Sequence, residues 1–175
     1  LARDLLDRQA AGKPVRIGLI GSGEMGTDIV TQVAQMTGIE VGAIAELDPL
    51  AALKAVETAY GEQGHASEVQ TASALRDAME AGRVAVTGDA SLVIGNDMID
   101  VVVDATGVPA VGAEIGLQAM EHGKHLVMMN VEADVTIGAY LKSEADRLGV
   151  VYSLGAGDEP SSCMELIEFV SAMGH

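Results

Sequence analysis

Short apolar runs alternate along this chain with stretches whose apolar positions return every three or four residues. Those two periods distinguish a strand buried on both faces from a helix buried on one. Val15–Ile20, Ile39–Ala45, Arg83–Thr87, Met98–Asp104, His125–Asn130 and Val150–Leu154 predict six strands. Helical periodicity follows the first strand to about Met36, then runs over Pro49–Tyr60, from a Ser73 cap to Ala81, over Ala110–His122, from an Asp134 cap to Leu148 and over Ser161–Met173, with Gly38, Gly123 and Gly149 as stops. Leu1–Gln9 reads as a short amphipathic helix packed on a neighbouring element and ended by Gly12 and Pro14, and residues 62–71 as a polar surface loop with His65 in solvent. Strands alternating with helices predict an α/β fold, a doubly wound parallel sheet of about six strands with helices on both faces, right-handed crossovers and strand order 3-2-1-4-5-6.

The first strand breaks into Gly21-Ser22-Gly23-Glu24-Met25-Gly26 before its helix begins. Glycines at these intervals, between a strand and a helix, suit a dinucleotide pyrophosphate. Gly21 permits the sharp turn, Gly23 has no Cβ to hold phosphates away, and Gly26 lets the helix pack close. The first-turn amides of Ser22 to Gly26 face the anion with the helix dipole behind them. Glu46, twenty positions beyond Gly26 at the end of the second strand, stands where a carboxylate accepts hydrogen bonds from the adenosine ribose. The same fold also admits a nucleotide-diphosphate or adenosylmethionine binder, or a redox-sensing module without catalysis.

The composition narrows these readings. With 175 residues the chain is the size of one domain, and 49% hydrophobic with 2% aromatic residues it must build its core from aliphatic side chains and methionine, Met120, Met128 and Met129 among them. A formal charge of −16 repels phosphate backbones and anionic lipid, which argues against nucleic-acid and membrane partners. A single cysteine, Cys163, excludes an internal disulfide framework, fits a cytoplasmic location and reads as a small core residue. His65 has no partner at ligand spacing, and although Glu132, Asp134, Asp158 and Glu159 on two strand exits could in principle hold a divalent metal, no metal is expected. Leu1 at the start and His175 directly after a helical pattern suggest a piece of something longer.

Three further stretches carry a resemblance: Asp104-Ala105-Thr106-Gly107, His122 to Asp134 with Asn130-Val131-Glu132 at its centre, and Gly155-Ala156-Gly157-Asp158-Glu159-Pro160-Ser161-Ser162. With the glycine turn they resemble the homoserine-dehydrogenase-like oxidoreductases, most closely the branch similar to deoxyxylulose-phosphate reductoisomerase. The resemblance implies a nicotinamide cofactor domain followed by a catalytic domain beyond residue 175, a homo-oligomeric full-length protein, and a small phosphorylated keto-sugar as substrate. Homoserine is the alternative, but Val131 and Glu132 stand where homoserine dehydrogenases carry the lysine of an Asn-Lys pair.

Hydride transfer is the cofactor's own chemistry, so this domain need only hold it. Ala105, Thr106 and Gly107 at the fourth strand's exit are expected against the cofactor, and Asn130 at the next exit near the nicotinamide ribose or carboxamide. Glu132 and Glu159 are the candidate acid or base residues; Asp134 and Asp158 read as helix caps. Neither arginine nor lysine lies between Arg16 and Lys54 to meet a 2′-phosphate, which favours NAD over NADP, with Lys54 the one cation one turn into the next helix.

Overall fold

Alternate residues of the strands feed opposite faces of one sheet, and each face has its own apolar cluster. Ile17, Leu19, Val41, Ile44, Val84, Val86 and Val103 pack on one side; Ile20, Ala43, Ala45, Ala85, Val102 and Met128 pack on the other. The structure is a computed structural model that describes residues 2–61, 64–155 and 159–174, with the backbone alone at 159–161. Its strands are β1 (Val15–Ile20), β2 (Ile39–Ala45), β3 (Ala66–Glu68), β4 (Val84–Thr87), β5 (Val101–Asp104), β6 (His125–Met128) and β7 (Tyr152–Leu154). Among the described residues the helices are α1 (Ala2–Ala10), α2 (Glu24–Val33), α3 (Pro49–Tyr60), α4 (Ala72–Glu80), α5 (Ala90–Ile94), α6 (Pro109–Glu121), α7 (Val131–Leu148) and α8 (Glu159–Ala172).

The sheet is parallel throughout its pairings, in the order β3-β4-β2-β1-β5-β6-β7. Without β3 this is the predicted order. Val30, Val33, Ala52 and Val56 bring α2 and α3 onto one face; Leu75, Val93, Ile115 and Leu141 bring α4 to α7 onto the other. Leu19, Ile44, Leu75, Leu126 and Leu141 are fully buried, and each contributes about 1.5–3 kcal/mol of transfer free energy.

The structure corrects several expectations. Residues 62–71 are not featureless: Ala66–Glu68 is an edge strand on β4, and His65 is half-buried, stacked on Tyr60 at 4.9 Å between ring centres. The cap of α4 is Thr71, whose side chain accepts from Ala74 N–H, and not Ser73. Asn130 and not Asp134 caps α7, four residues earlier; Asp134, in the first turn, accepts a hydrogen bond from the Tyr152 hydroxyl instead. The short helix α5 was not foreseen, and Cys163 is exposed on α8 rather than in a core. The expected cap Asp158 and the side chain of Glu159 lie outside the described residues. Among those residues no helix is long and apolar enough to cross a membrane.

Candidate dinucleotide-binding site

The exits of β2, β1 and β5 lie level because the ladder continues one residue past each strand. Gly21 N–H donates to Ala45 O at 2.9 Å, Ala105 N–H to Ile20 O at 2.8 Å, and Glu46 N–H to Thr87 O at 2.9 Å. These bonds hold the glycine turn, the Glu46 segment and the Ala105 segment around one cleft of about 430 Å³. It is lined by Gly21, Gly23, Ala45, Glu46, Leu47, Gly88, Ala90, Ala105, Thr106, Val108 and Val111, over a floor of Ile20 and Ile115.

Each glycine of the turn answers a separate steric demand. Gly21 has φ +91°, and a Cβ there would stand 2.8 Å from Ala105 O, so both backbone conformation and the neighbouring strand exclude a side chain. At Gly26 a Cβ would stand 2.3 Å from Gly21 O, which is the close packing of helix on turn. Gly23 differs, because a Cβ there meets nothing within 4 Å. The fold itself has no need of a glycine at that place, and the open space faces the cleft, where a pyrophosphate would lie. Gly23 begins α2 without a side-chain cap, as Val108 does α6, whereas Asp48, Thr71, Asp89 and Asn130 cap α3, α4, α5 and α7. The first-turn amides of α2 at Glu24, Met25 and Gly26 thus have room for an anion, and the Glu24 and Met25 side chains are exposed and do not line the cleft.

Across the cleft, Glu46 Oε2 accepts from Ser22 N–H at 2.7 Å and from Ser22 O–H at 3.0 Å, while Oε1 accepts from Asp48 N–H at 3.3 Å. Burial pushes the Glu46 carboxyl up, but these bonds and the Leu47 N–H outweigh it, holding the group below the usual glutamate range and ionised at neutral pH. Asp48 caps α3 through Leu50 N–H, ahead of Pro49 at the first helical position, which fixes where β2 ends. Lys54 is exposed and does not line the cleft.

On the other side Thr106 lines the cleft and Gly107 follows with φ +65°. Asn130 is buried behind Thr106, donating to it and to Asp104 while capping α7. Glu132 is exposed in the first turn of α7 and does not line the cleft. The sequence reading missed Asp104 as a part of this assembly and, although it placed Ser22 in the turn, missed its bonds to Glu46. A signal existed for Asp104, a carboxylate closing an otherwise apolar strand.

An open parallel sheet with a glycine turn, an uncapped helix start and an acidic residue at the second strand's exit defines a nicotinamide-dinucleotide-binding Rossmann domain. The chain matches the model of the homoserine dehydrogenase NAD-binding domain family over residues 21–153. It belongs to that family, whose cofactor is NAD or NADP. No curated protein matches the chain significantly. Similar solved structures include biliverdin reductase from Synechocystis sp. PCC 6803 in complex with biliverdin and NADP+, with 19% identity and a TM-score of 0.61 over 81% of this chain and 38% of that one. Another is myo-inositol dehydrogenase from Lactobacillus casei in complex with NAD(H) and myo-inositol, with 21% identity and a TM-score of 0.60 over 81% of this chain and 36% of that one. A third is an NAD binding oxidoreductase from Klebsiella pneumoniae, at 21% identity and a TM-score of 0.56, covering 81% of this chain and 34% of that one. The chain therefore spans little more than a third of the length of these structures, and at such identities the likeness is one of fold.

Proposed function

We propose that this domain holds NAD in preference to NADP for an oxidoreductase whose substrate and proton-transfer groups belong to a further domain. The observation that carries the cofactor preference is the Glu46 carboxylate, fixed at the cleft by Ser22 and kept ionised. Oε2 takes both Ser22 donors, whereas the bond that Oε1 accepts from Asp48 is longer, which makes Oε1 the oxygen more available to a ribose hydroxyl. A 2′-phosphate about 5 Å from this charge, in an effective dielectric of about 20, would meet several kcal/mol of repulsion before screening. Even a quarter of that weakens binding about tenfold. Leu47, 93% exposed, and Val108, 49% exposed, stand at the cleft mouth as apolar walls suited to a flat base.

Among the described residues Glu46 is also the sole ionisable side chain lining the cleft, and it faces the adenosine side. A hydride acceptor or donor needs a proton partner, and among the described residues none lines this cleft, which supports a substrate site contributed from elsewhere. The shares of length covered in the solved relatives support the same division.

For the substrate, Asn130-Val131-Glu132 supports reduction of a small phosphorylated keto-sugar, of the deoxyxylulose phosphate kind, because no lysine follows Asn130. The comparisons lend that choice no further support. The family match favours a second reading, homoserine oxidation. Calorimetry of the 175-residue chain with NADH, NADPH and adenosylmethionine tests the cofactor reading, which expects NADH to bind most tightly. Turnover assays of this chain with deoxyxylulose phosphate and homoserine are expected to be blank. The same assays on a longer protein containing it decide the substrate, and robust homoserine oxidation there would end the keto-sugar reading.

A further inference from the structure

Behind the cleft wall lies a polar cluster that neither strand ladder nor helix capping requires. Asp104 closes β5 at 0% exposure and Asn130 follows β6 at 1%, in a layer otherwise made of Val102, Leu126 and Met128. A carboxylate and an amide buried there are costly unless their polar atoms find partners, and they do. Asp104 Oδ1 accepts from Thr106 N–H at 3.1 Å, and Oδ2 accepts from Asn130 Nδ2 at 3.2 Å. Asn130 Nδ2 also donates to Thr106 Oγ1 at 3.3 Å, and Oδ1 accepts from Ala133 N–H at 3.2 Å. Capping α7 uses only that last bond, which a serine or threonine would supply.

This pattern fixes the amide's orientation. Ala133 N–H can only donate, so it must face the amide oxygen; the carboxylate of Asp104 can only accept, so it must face the NH2. Thr106 Oγ1 is therefore an acceptor towards Asn130, and it accepts a second, longer bond from Val108 N–H at 3.5 Å. A hydroxyl with both lone pairs engaged has only its proton left to offer, and Thr106 lines the cleft. The cluster is also sterically reserved. A Cβ on Gly112 of α6 would stand 2.4 Å from Asp104 Oδ2 and 2.6 Å from Asn130 Nδ2, so the helix passes close only because that residue has none.

We propose that Asp104 and Asn130 are positioning residues that commit the Thr106 hydroxyl to donate a hydrogen bond to an acceptor oxygen of the bound dinucleotide, on the half lying over β5 and β6. The inference rests on the dinucleotide reading of the cleft. With the pyrophosphate at the β1 turn and Glu46 at the β2 exit taking the adenosine ribose, the second nucleotide extends to the opposite side of β1, where β5 and β6 lie. Its ribose and carboxamide oxygens are acceptors of the required kind. Asn130 acts without touching the cofactor, by holding the hydroxyl's proton outward.

Calorimetry with NADH and with ADP, which lacks the second nucleotide, tests this on the 175-residue chain. Thr106 is half-exposed, so Thr106→Val retains the fold; it is expected to weaken NADH about tenfold and to leave ADP unchanged. Thr106→Ser is expected to bind NADH within about twofold of the parent, since the hydroxyl remains. Asn130→Ala should weaken NADH in the same sense, and combined with Thr106→Val it should bind no more weakly than Thr106→Val alone, because both changes remove one interaction. Gly112→Ala, which displaces the pair without removing a polar group, should behave as Asn130→Ala does and serves if Asn130→Ala does not fold. NADH affinity undiminished in Thr106→Val, equal losses for NADH and ADP, or additive losses in the double variant would overturn this inference alone. A parent that binds neither nucleotide overturns the reading of the cleft and this inference with it.

Discussion

Ser22 gives both of its donors to one oxygen of Glu46, its N–H at 2.7 Å and its hydroxyl at 3.0 Å, across 24 residues of sequence. The middle of the glycine turn and the acidic residue of the second strand are thus one unit. Ser22 is itself 3% exposed, and its carbonyl accepts from Thr27 Oγ1 at 3.2 Å, so the turn, the first part of α2 and the β2 exit move together. A carboxylate held this way has lost its rotamer freedom before any ribose arrives, which lowers the ordering cost of binding.

Cofactor choice follows from that charge. The parent is expected to bind NADH more tightly than NADPH, by about tenfold at moderate ionic strength. In Glu46→Arg the order should reverse, because a guanidinium both removes the repulsion and offers paired donors to a phosphate. The two dissociation constants measured at one ionic strength decide it, and a parent that prefers NADPH contradicts the prediction.

The two ends of the glycine turn should separate binding from folding. A Cβ at Gly23 meets nothing within 4 Å, so the melting temperature of Gly23→Val is expected within about 2 °C of the parent while NADH binding is lost. Gly21→Val forces a β-branched residue to φ +91° and against Ala105 O, so destabilisation of at least about 2–3 kcal/mol is expected, read as a fall in urea midpoint. Equal NADH affinity in Gly23→Val and the parent would show that the turn is structural only.

Where the chemistry of an element is local, it was legible in the sequence. Pro49–Tyr60 is a helix as predicted because Asp48-Pro49 starts it and Gly61 ends it in the left-handed region, all within the segment. Ala66–Glu68 carries no strand pattern of its own and is a strand only because Val84–Val86 lies beside it. Around the start of α7, Asn130 and Asp134 are both good capping residues, and the choice between them was made by Tyr152, which engages Asp134 from another strand. The glycine turn and Glu46 were readable from spacing. Their direct bond was not, nor was the burial of Asp104, since both depend on partners more than 20 residues away.

Acid should dissolve the Ser22–Glu46 unit. The folded-state pKa of Glu46 lies below its ordinary value of 4.5, so its contribution to stability is complete above that value and is lost as pH falls through the lowered one. In Glu46→Gln the contribution is absent throughout. The stability gap between parent and Glu46→Gln is therefore expected to be constant from about pH 7 to 5 and to narrow progressively as pH falls below 4.5. Urea midpoints across that range measure it, and a gap that widens on acidification has the wrong sign for this account.

At the opposite, amino-terminal end of the sheet, Lys124 offers a control that separates stability from function. It is 8% exposed just before β6, and its Nζ donates to Asn96 O and Ile99 O, each at 2.8 Å, tying the segment between α5 and β5 to the next strand. Burial pulls its pKa down, and Asp97 and Asp100 nearby partly restore it, so the ammonium is held by two carbonyls and two neighbouring charges and not by a direct ion pair. Lys124→Met keeps the length of the side chain and the packing of its methylenes but leaves both carbonyls without that donor. A loss of about 2 kcal/mol is expected, equivalent to a fall of about 4–8 °C in melting temperature for a domain of this size. Because the cleft lies at the carboxyl ends of the strands, the NADH dissociation constant of Lys124→Met should stay within about twofold of the parent at temperatures where both are folded. A variant as stable as the parent would mean that water replaces the ammonium at no cost. A stable variant that lost NADH would place the cofactor at the wrong end of the sheet.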